Sequence, residues 1–134
     1  MARNTTGVVP LDIVASLPFI TAVEVSVGNQ STILDKVLVD TGSAGTILSA
    51  DIMLDIGVKP SVEDSLVVIA GVGGTEYAFS KIIDNITVGP FVVSDFKIQV
   101  GAMEYGFELD GIIGMNFLLT TKAKIDFKRL LVTN

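Results

Sequence analysis

The hydrophobic pattern of the chain is mostly that of β-strands. Val23, Val25 and Val27 alternate with polar residues, which predicts a strand with one buried and one exposed face. Residues 28–31 follow as a turn, and residues 32–39 are predicted to form the returning strand. Further β-type runs predict strands at 66–69, 77–83, 86–88, 91–100, 125–127 and 130–132.

Helical signal is confined to two short stretches. Ser49 is a residue type that begins helices, Met53 and Ile56 fall on one side of the turn that follows, and Gly57 predicts the end. A second short helical turn is predicted after Met115. No internal repeat or linker is visible, so residues 1–134 are expected to form a single all-β domain, a barrel or a sandwich.

The composition is that of a folded, acidic domain. Of 134 residues, 49% are hydrophobic and 13 are glycine, which favours a filled core with many turns. The net charge is −6 and basic residues are scattered, so neither nucleic acid nor an anionic membrane is an expected partner. The sequence has no cysteine or histidine, which leaves no thiol or histidine catalysis and no metal or cofactor to expect. No apolar leader or membrane-length apolar run is present, so a cytoplasmic location is favoured.

The chemically informative stretch is the end of the strand predicted at 32–39. The apolar run ends in Asp40, and Thr41, Gly42 and Ser43 follow it directly. This pattern places a carboxylate at the tip of a buried strand, where Gly42 permits a tight turn and the hydroxyls of Thr41 and Ser43 can hold the carboxylate. An ordinary turn, in which Asp40 accepts hydrogen bonds from nearby backbone N–H groups, explains these residues equally well.

Two later segments also have ordinary explanations when each is taken alone. Residues 69–75 contain a glycine cluster between two β-type runs, as a hairpin turn does. A phosphate-binding loop is not supported there, because no Lys-Ser/Thr pair and no helix follows. Residues 110–114 combine an Asp-Gly turn with the start of an apolar core strand.

Taken in order, the three segments resemble the motifs of retropepsin-like aspartic proteases. Asp40-Thr41-Gly42-Ser43 resembles the active-site motif, residues 69–75 are similar to the glycine-rich tip of the flap, and residues 110–118 look like the second signature, which packs behind the active-site loop. The resemblance implies a single-lobed acid-protease barrel with a flap hairpin and one or two short helices.

The activity implied by this resemblance is that of an aspartic endopeptidase. In such enzymes two carboxylates share one proton and activate a water molecule. This sequence supplies one Asp-Thr-Gly, so a homodimer is implied, in which Asp40 meets Asp40 of the partner subunit, Thr41 braces the pair and Gly42 completes the catalytic motif. A dyad of Asp40 with Asp110 is disfavoured, because Asp110 lies in a turn and lacks a following hydroxyl residue.

The substrate implied is an extended peptide or protein segment held between the dyad and the flaps. Ile47, Val72 and Ile112 are candidate pocket walls that fit a core role equally well. The substrate-binding residues implied by the resemblance are Ser43, Ala44, Gly71, Val72, Gly73, Gly74 and Ile112.

Several features depart from the retroviral pattern and favour cellular and prokaryotic single-lobed relatives. Ser43 stands where the viral motif usually has alanine, residues 77–109 form a longer stretch, and residues 124–132 extend beyond the usual viral end. The details of the dimer interface therefore stay open. The alternative function is a non-catalytic peptide-binding or dimerisation module with the same fold, although a buried carboxylate is costly where it has no use. An unrelated β-barrel ligand binder would make all three resemblances coincidental.

Overall fold

The computed structural model describes residues 7–71, 74–105 and 107–134, which form thirteen strands and two short helices. The all-β fold expected from the sequence is confirmed. The strands are β1 (Val8–Pro10), β2 (Asp12–Val14), β3 (Leu17–Ile20), β4 (Val23–Val27), β5 (Gln30–Leu34), β6 (Val37–Val39), β7 (Ile47–Ser49), β8 (Leu66–Gly71), β9 (Gly74–Val88), β10 (Phe91–Gly101), β11 (Gly111–Ile113), β12 (Lys124–Asp126) and β13 (Leu131–Thr133).

These strands form two sheets. The larger sheet has the order β2-β3-β6-β11-β7-β10-β9-β4-β5, and β8 pairs with β9 outside this path. The smaller sheet joins the two ends of the chain in the order β1-β13-β12. Some consecutive strands, such as β4 and β5 or β9 and β10, pair as hairpins. In contrast, β11 lies between β6 and β7, and this insertion determines the geometry of the site.

Two apolar clusters lie on opposite faces of the central strands. Val37 and Val39 belong to the larger main cluster, whereas Leu38 packs against a smaller second cluster, as alternation along a strand requires. Ile113 and Ile112 on β11 divide in the same way. The second cluster consists of Phe19, Ile47, Met103, Leu109 and Ile112, with Leu17, Leu38, Ile69 and Tyr105 packed against it.

The two helices are short and end as the sequence suggests. Helix α1 (Ala50–Asp55) follows Ser49, whose side chain makes no capping hydrogen bond, and ends before Gly57, which has a φ of +83° that favours glycine. Helix α2 (Met115–Thr121) begins directly after Gly114 and is a longer element than the single turn predicted there. In the described part of the chain, no helix is long and apolar enough to cross a membrane.

The structure corrects several predicted strand boundaries. Residues 32–39 are two strands rather than one, because the backbone N–H groups of Asp35 and Lys36 bind the Asp110 carboxylate instead of a strand neighbour. The strands predicted at 77–83 and 86–88 are parts of β9, which runs without a break for 15 residues. Three strands before Val23 were not predicted from the pattern.

Candidate functional site

Residues 40–46, called here the Asp40 loop, connect β6 to β7. Asp40 is half-buried, and its backbone N–H donates to the carbonyl of Ile113 at 2.9 Å, so the strand pairing continues up to this residue. The loop then turns tightly, with the Ser43 N–H donating to the Asp40 carbonyl at 3.2 Å. The carboxylate accepts the backbone N–H of Gly42 at 2.9 Å on Oδ1. A fixed backbone and one backbone donor therefore orient this acid.

The hydroxyl groups of the loop do not hold the carboxylate as the sequence suggested. The Ser43 hydroxyl donates to the Gly45 carbonyl at 2.8 Å, so it stabilises the turn instead. Thr41 is exposed, and its side chain makes no hydrogen bond to any part of the chain that the structure describes. Gly42 and Ala44 are also exposed. The loop thus presents one side of Asp40, Thr41 and Gly42 to the outside of the folded chain.

The Asp40 loop is supported from behind by β11. This strand runs parallel to β6, pairing Ile113 with Val39, and antiparallel to β7, pairing Ile112 with Ile47. It therefore fills the gap between the two strands that the loop connects. Past β11, the N–H groups of Met115 and Asn116 donate to the carbonyls of Ser43 and Ala44 at 2.7 and 3.0 Å.

Gly114 lies where the two segments approach most closely. A Cβ atom at this position would overlap the Gly45 carbonyl oxygen and lie 2.7 Å from the Ser43 carbonyl oxygen. Its φ of −104° and ψ of −172° are extended values that any residue adopts. Glycine is needed here for backbone proximity and not for its conformational freedom.

A buried polar network connects the loop to the start of α2. Thr46 is fully buried, its hydroxyl donates to Asn116 Oδ1 at 2.8 Å, and it accepts the Gly114 N–H at 3.2 Å. Asn116 also donates from Nδ2 to the Lys97 carbonyl at 3.1 Å. Neither Thr46 nor Asn116 was predicted from the sequence to support the site. The position of Thr46 directly before the apolar strand β7 could have indicated this role, since a polar group that is buried there needs a hydrogen-bond partner.

Asp110 has a structural role that separates it from Asp40. Its Oδ2 accepts the N–H groups of Asp35 and Lys36, both at 3.1 Å, and its backbone carbonyl accepts the Ser49 N–H at 3.0 Å. The register places Asp110 beside residue 36, whereas Asp40 follows the other end of β6, about 13 Å away along the strand. The two carboxylates therefore cannot share a proton within one chain.

The side chain of Asp40 projects to the face of the sheet that carries the second cluster. Asp40 and Leu38 share a face because side chains alternate, and Leu38 packs against that cluster. Ile47 and Ile112, the candidate pocket walls, are 4% and 7% exposed and are members of the cluster. In the single chain they are buried beneath neighbouring side chains.

The β8–β9 hairpin covers the same cluster. Ile69 of β8 packs against it, and Gly71 pairs with Gly74 near the turn. These two glycines, expected from the sequence to bind substrate, thus lie at the end of the hairpin. Val72 and Gly73, predicted for the same role, lie outside the described residues.

A second polar contact joins this hairpin to the segment between β10 and β11. The Tyr105 hydroxyl donates to Glu76 Oε1 at 2.6 Å, and both residues are half-buried. Burial, together with the negative charge and hydrogen bond of Glu76, raises the pKa of the Tyr105 phenol above its usual range. The phenol is therefore a stable donor at physiological pH. No sequence signal connects these two residues, which lie 29 positions apart.

Comparison with known proteins agrees with the geometry of the loop and its supporting strand. A family model described as aspartyl protease matches residues 23–117, which include the Asp40 loop, the hairpin and β11. The comparison with curated proteins gave no match.

Proposed function

Because the chain belongs to the aspartyl protease family, we propose that it is an endopeptidase that works as a homodimer, with Asp40 and Asp40 of the partner subunit as its catalytic pair. The observation that carries this proposal is the position of Asp40. It is an oriented, half-buried acid at the end of β6, and Asp110, the other acid considered as its partner within one chain, accepts the backbone N–H groups of Asp35 and Lys36 instead. A second copy related by a two-fold axis would supply the missing carboxylate.

The chemistry proposed for the pair is general acid–base catalysis by two carboxyl groups that hold one proton. The ionised group takes a proton from a water molecule, whose oxygen forms a bond to the carbonyl carbon of the substrate. The protonated group gives its proton to the carbonyl oxygen. Collapse of the tetrahedral intermediate then breaks the C–N bond, and the amide nitrogen leaves with a proton. No covalent intermediate forms.

The remaining site residues have supporting roles in this proposal. The Gly42 N–H orients the carboxylate, and the exposed Thr41 side chain is available to reach across the dimer axis. Ser43 and Ala44 offer backbone groups at the edge of the loop, and Gly71 and Gly74, at the end of the hairpin, contact the peptide backbone. The same role is proposed for Val72 and Gly73, which lie outside the described residues. Ile112 and its neighbours in the second cluster form apolar walls once the hairpin moves to admit a peptide.

The first experiment is digestion of a broad peptide library by the wild type and by Asp40→Asn. The variant keeps the size and one acceptor oxygen of the side chain, so it should fold with an unchanged circular dichroism spectrum and lose cleavage. Asp110→Asn is the matched control, because it changes an acid of the same type outside the pair. Cleavage by a folded Asp40→Asn at the wild-type rate would contradict the catalytic assignment. Peptide binding without any wild-type cleavage would favour a non-catalytic module.

The shared pair is tested separately by mixing subunits. After exchange in an equal mixture of wild type and Asp40→Asn, about one quarter of the dimers carry two Asp40 side chains. Activity per wild-type chain should then fall to about half, and it should fall further with excess variant. Activity that is unaffected by the variant, together with a monomer in sedimentation at assay concentration, would contradict the dimer.

A further inference from the structure

The β8–β9 hairpin carries a carboxylate on the face that covers the second cluster. Glu76 stands opposite Ile69 in the hairpin register, so the two side chains project to the same face. Ile69 packs against the second cluster, and Asp40 projects towards that cluster from the central sheet. Glu76 and Asp40 therefore border the same apolar region from two sides.

Among the residues that the structure describes, no basic side chain compensates the negative charge of Glu76. Tyr105 donates one hydrogen bond, and a Cβ atom at Gly101 would lie 3.1 Å from Glu76 Oε1, so the carboxylate sits closely against β10. Within the described residues, no lysine or arginine forms a salt bridge with it. A neutral phenol fixes the position of the carboxylate without cancelling its charge, while part of its hydration is lost.

Packing alone does not explain a charged residue at this place. Glu76 is half-buried, and an apolar side chain of similar volume would fill the space beside Ile69 and Tyr105 without the loss of hydration that the carboxylate undergoes. A partly desolvated carboxylate of fixed orientation is suited to binding a cation. The attraction between the two charges offsets the hydration that the carboxylate has lost in the free protein.

We propose that Glu76 is a specificity-determining residue that selects peptides with a lysine or arginine next to an apolar residue. The apolar residue enters the second cluster, and the ammonium or guanidinium group reaches Glu76 while its aliphatic stem lies on the cluster. Tyr105 is a positioning residue that fixes the carboxylate and the hairpin. This inference rests on the proposed peptidase function and specifies its substrate class.

Charges near this position favour the same class of peptide. Glu104 and Glu108 are exposed on either side of Tyr105, in the segment that forms this wall of the cluster. The whole chain has a net charge of −6. Such a field attracts basic peptides at low salt without fixing their register, so Glu76 is the group that distinguishes one peptide position from another.

The test is a positional scan with matched fluorogenic peptides. A peptide that the wild type cleaves is resynthesised with lysine and with methionine at each position in turn, since methionine is unbranched and uncharged. At one position the wild type should give a kcat/KM about tenfold higher for lysine than for methionine. Glu76→Gln retains an oxygen that accepts the Tyr105 hydrogen bond, and it should lose this preference while cleaving the methionine peptide within about twofold of wild type.

The control variants separate specificity from stability. Glu104→Gln removes one charge from an exposed residue of the same wall and should keep most of the lysine preference. Tyr105→Phe keeps the Glu76 charge but frees its carboxylate, so KM for the lysine peptide should rise more than kcat falls. An equal loss for both peptides in Glu76→Gln, or no lysine preference at any position in the wild type, would overturn the proposal.

Failure of the Glu76 proposal can be distinguished from failure of the proposed peptidase function. If the wild type cleaves peptides and Asp40→Asn does not, the function stands whether or not Glu76 discriminates. If cleavage is absent, fluorescence anisotropy with Asp40→Asn still compares binding of the lysine and methionine peptides. Equal affinity of the two peptides in that assay would overturn the role of Glu76.

Discussion

Replacing Gly114 by alanine tests how tightly the Asp40 loop and its supporting segment are packed. The new methyl group would overlap the Gly45 carbonyl and approach the Ser43 carbonyl oxygen to 2.7 Å. Carbon and oxygen normally stay beyond 3 Å, so the two backbones must separate by about 1 Å. The backbone angles of Gly114 suit alanine, so the whole effect comes from this overlap.

The expected cost follows from what the separation disturbs. Overpacking a filled site costs about 1–3 kcal/mol. Three hydrogen bonds cross the same contact, from the N–H groups of Gly114, Met115 and Asn116 to the loop, and weakening them adds about 1 kcal/mol each at most. A loss of about 4 kcal/mol is therefore expected, which is a large share of the roughly 5–15 kcal/mol that stabilises a domain.

Urea unfolding followed by circular dichroism measures this loss. With an m-value of about 2 kcal/mol per molar urea, the urea midpoint of unfolding should fall by about 2 M. If the free energy of unfolding of the wild type is below about 4 kcal/mol, the variant should be unfolded even without urea. Gly7→Ala is the matched control, because a Cβ atom there meets no atom of the described residues within 4 Å. A Gly114→Ala protein that unfolds at the wild-type urea concentration would refute the reasoning.

Three further variants probe the neighbouring interactions. Thr46→Val keeps the shape of the side chain but leaves the Gly114 N–H without an acceptor and removes one of the two donors to Asn116 Oδ1, the other being the Phe117 N–H, so the free energy of unfolding should fall by about 2 kcal/mol in urea titration; an unchanged midpoint would contradict the network. Asp110→Ala should cost about 1–2 kcal/mol through two lost backbone hydrogen bonds yet retain peptide cleavage, and a folded but inactive protein would return it to the catalytic candidates. Because the pKa of Tyr105 is raised in the folded state, its contribution to stability is fully present below about pH 10 and is lost as the pH rises above that value. Tyr105→Phe should therefore flatten the alkaline fall in melting temperature, and an unchanged alkaline profile would contradict this assignment.

Local sequence patterns correctly predicted the strands and helices that are determined by residues close to one another in the sequence. The alternation at Val23, Val25 and Val27 is reproduced in β4, where Val23 and Val25 are fully buried. The α1 helix and its end before Gly57 were also predicted, because capping and glycine preferences act within a few residues. The order of motifs along the chain correctly indicated the family.

The features that were missed depend on contacts between distant segments. The strand predicted over residues 32–39 is interrupted at Asp35 and Lys36 by a carboxylate that lies more than 70 positions later in the chain. Asp35 and Lys36 are two adjacent polar residues within an apolar run, but the distant carboxylate that binds them cannot be inferred from this local pattern. The contacts of Thr46 with Asn116 and of Tyr105 with Glu76 are likewise between segments 70 and 29 positions apart. Which polar groups of distant segments form hydrogen bonds with each other cannot be inferred from a single sequence.

The insertion of β11 between β6 and β7 has a consequence for biosynthesis. The Asp40 loop emerges from the ribosome well before its support, since Thr46 and Gly114 are 68 residues apart. At about 5–20 residues per second, the nascent loop waits several seconds for the strand that completes it. A polypeptide stopped anywhere in that interval carries the intact Asp-Thr-Gly sequence without the backbone that holds it. A supported Asp40 loop is therefore expected only after residue 116 has left the ribosome.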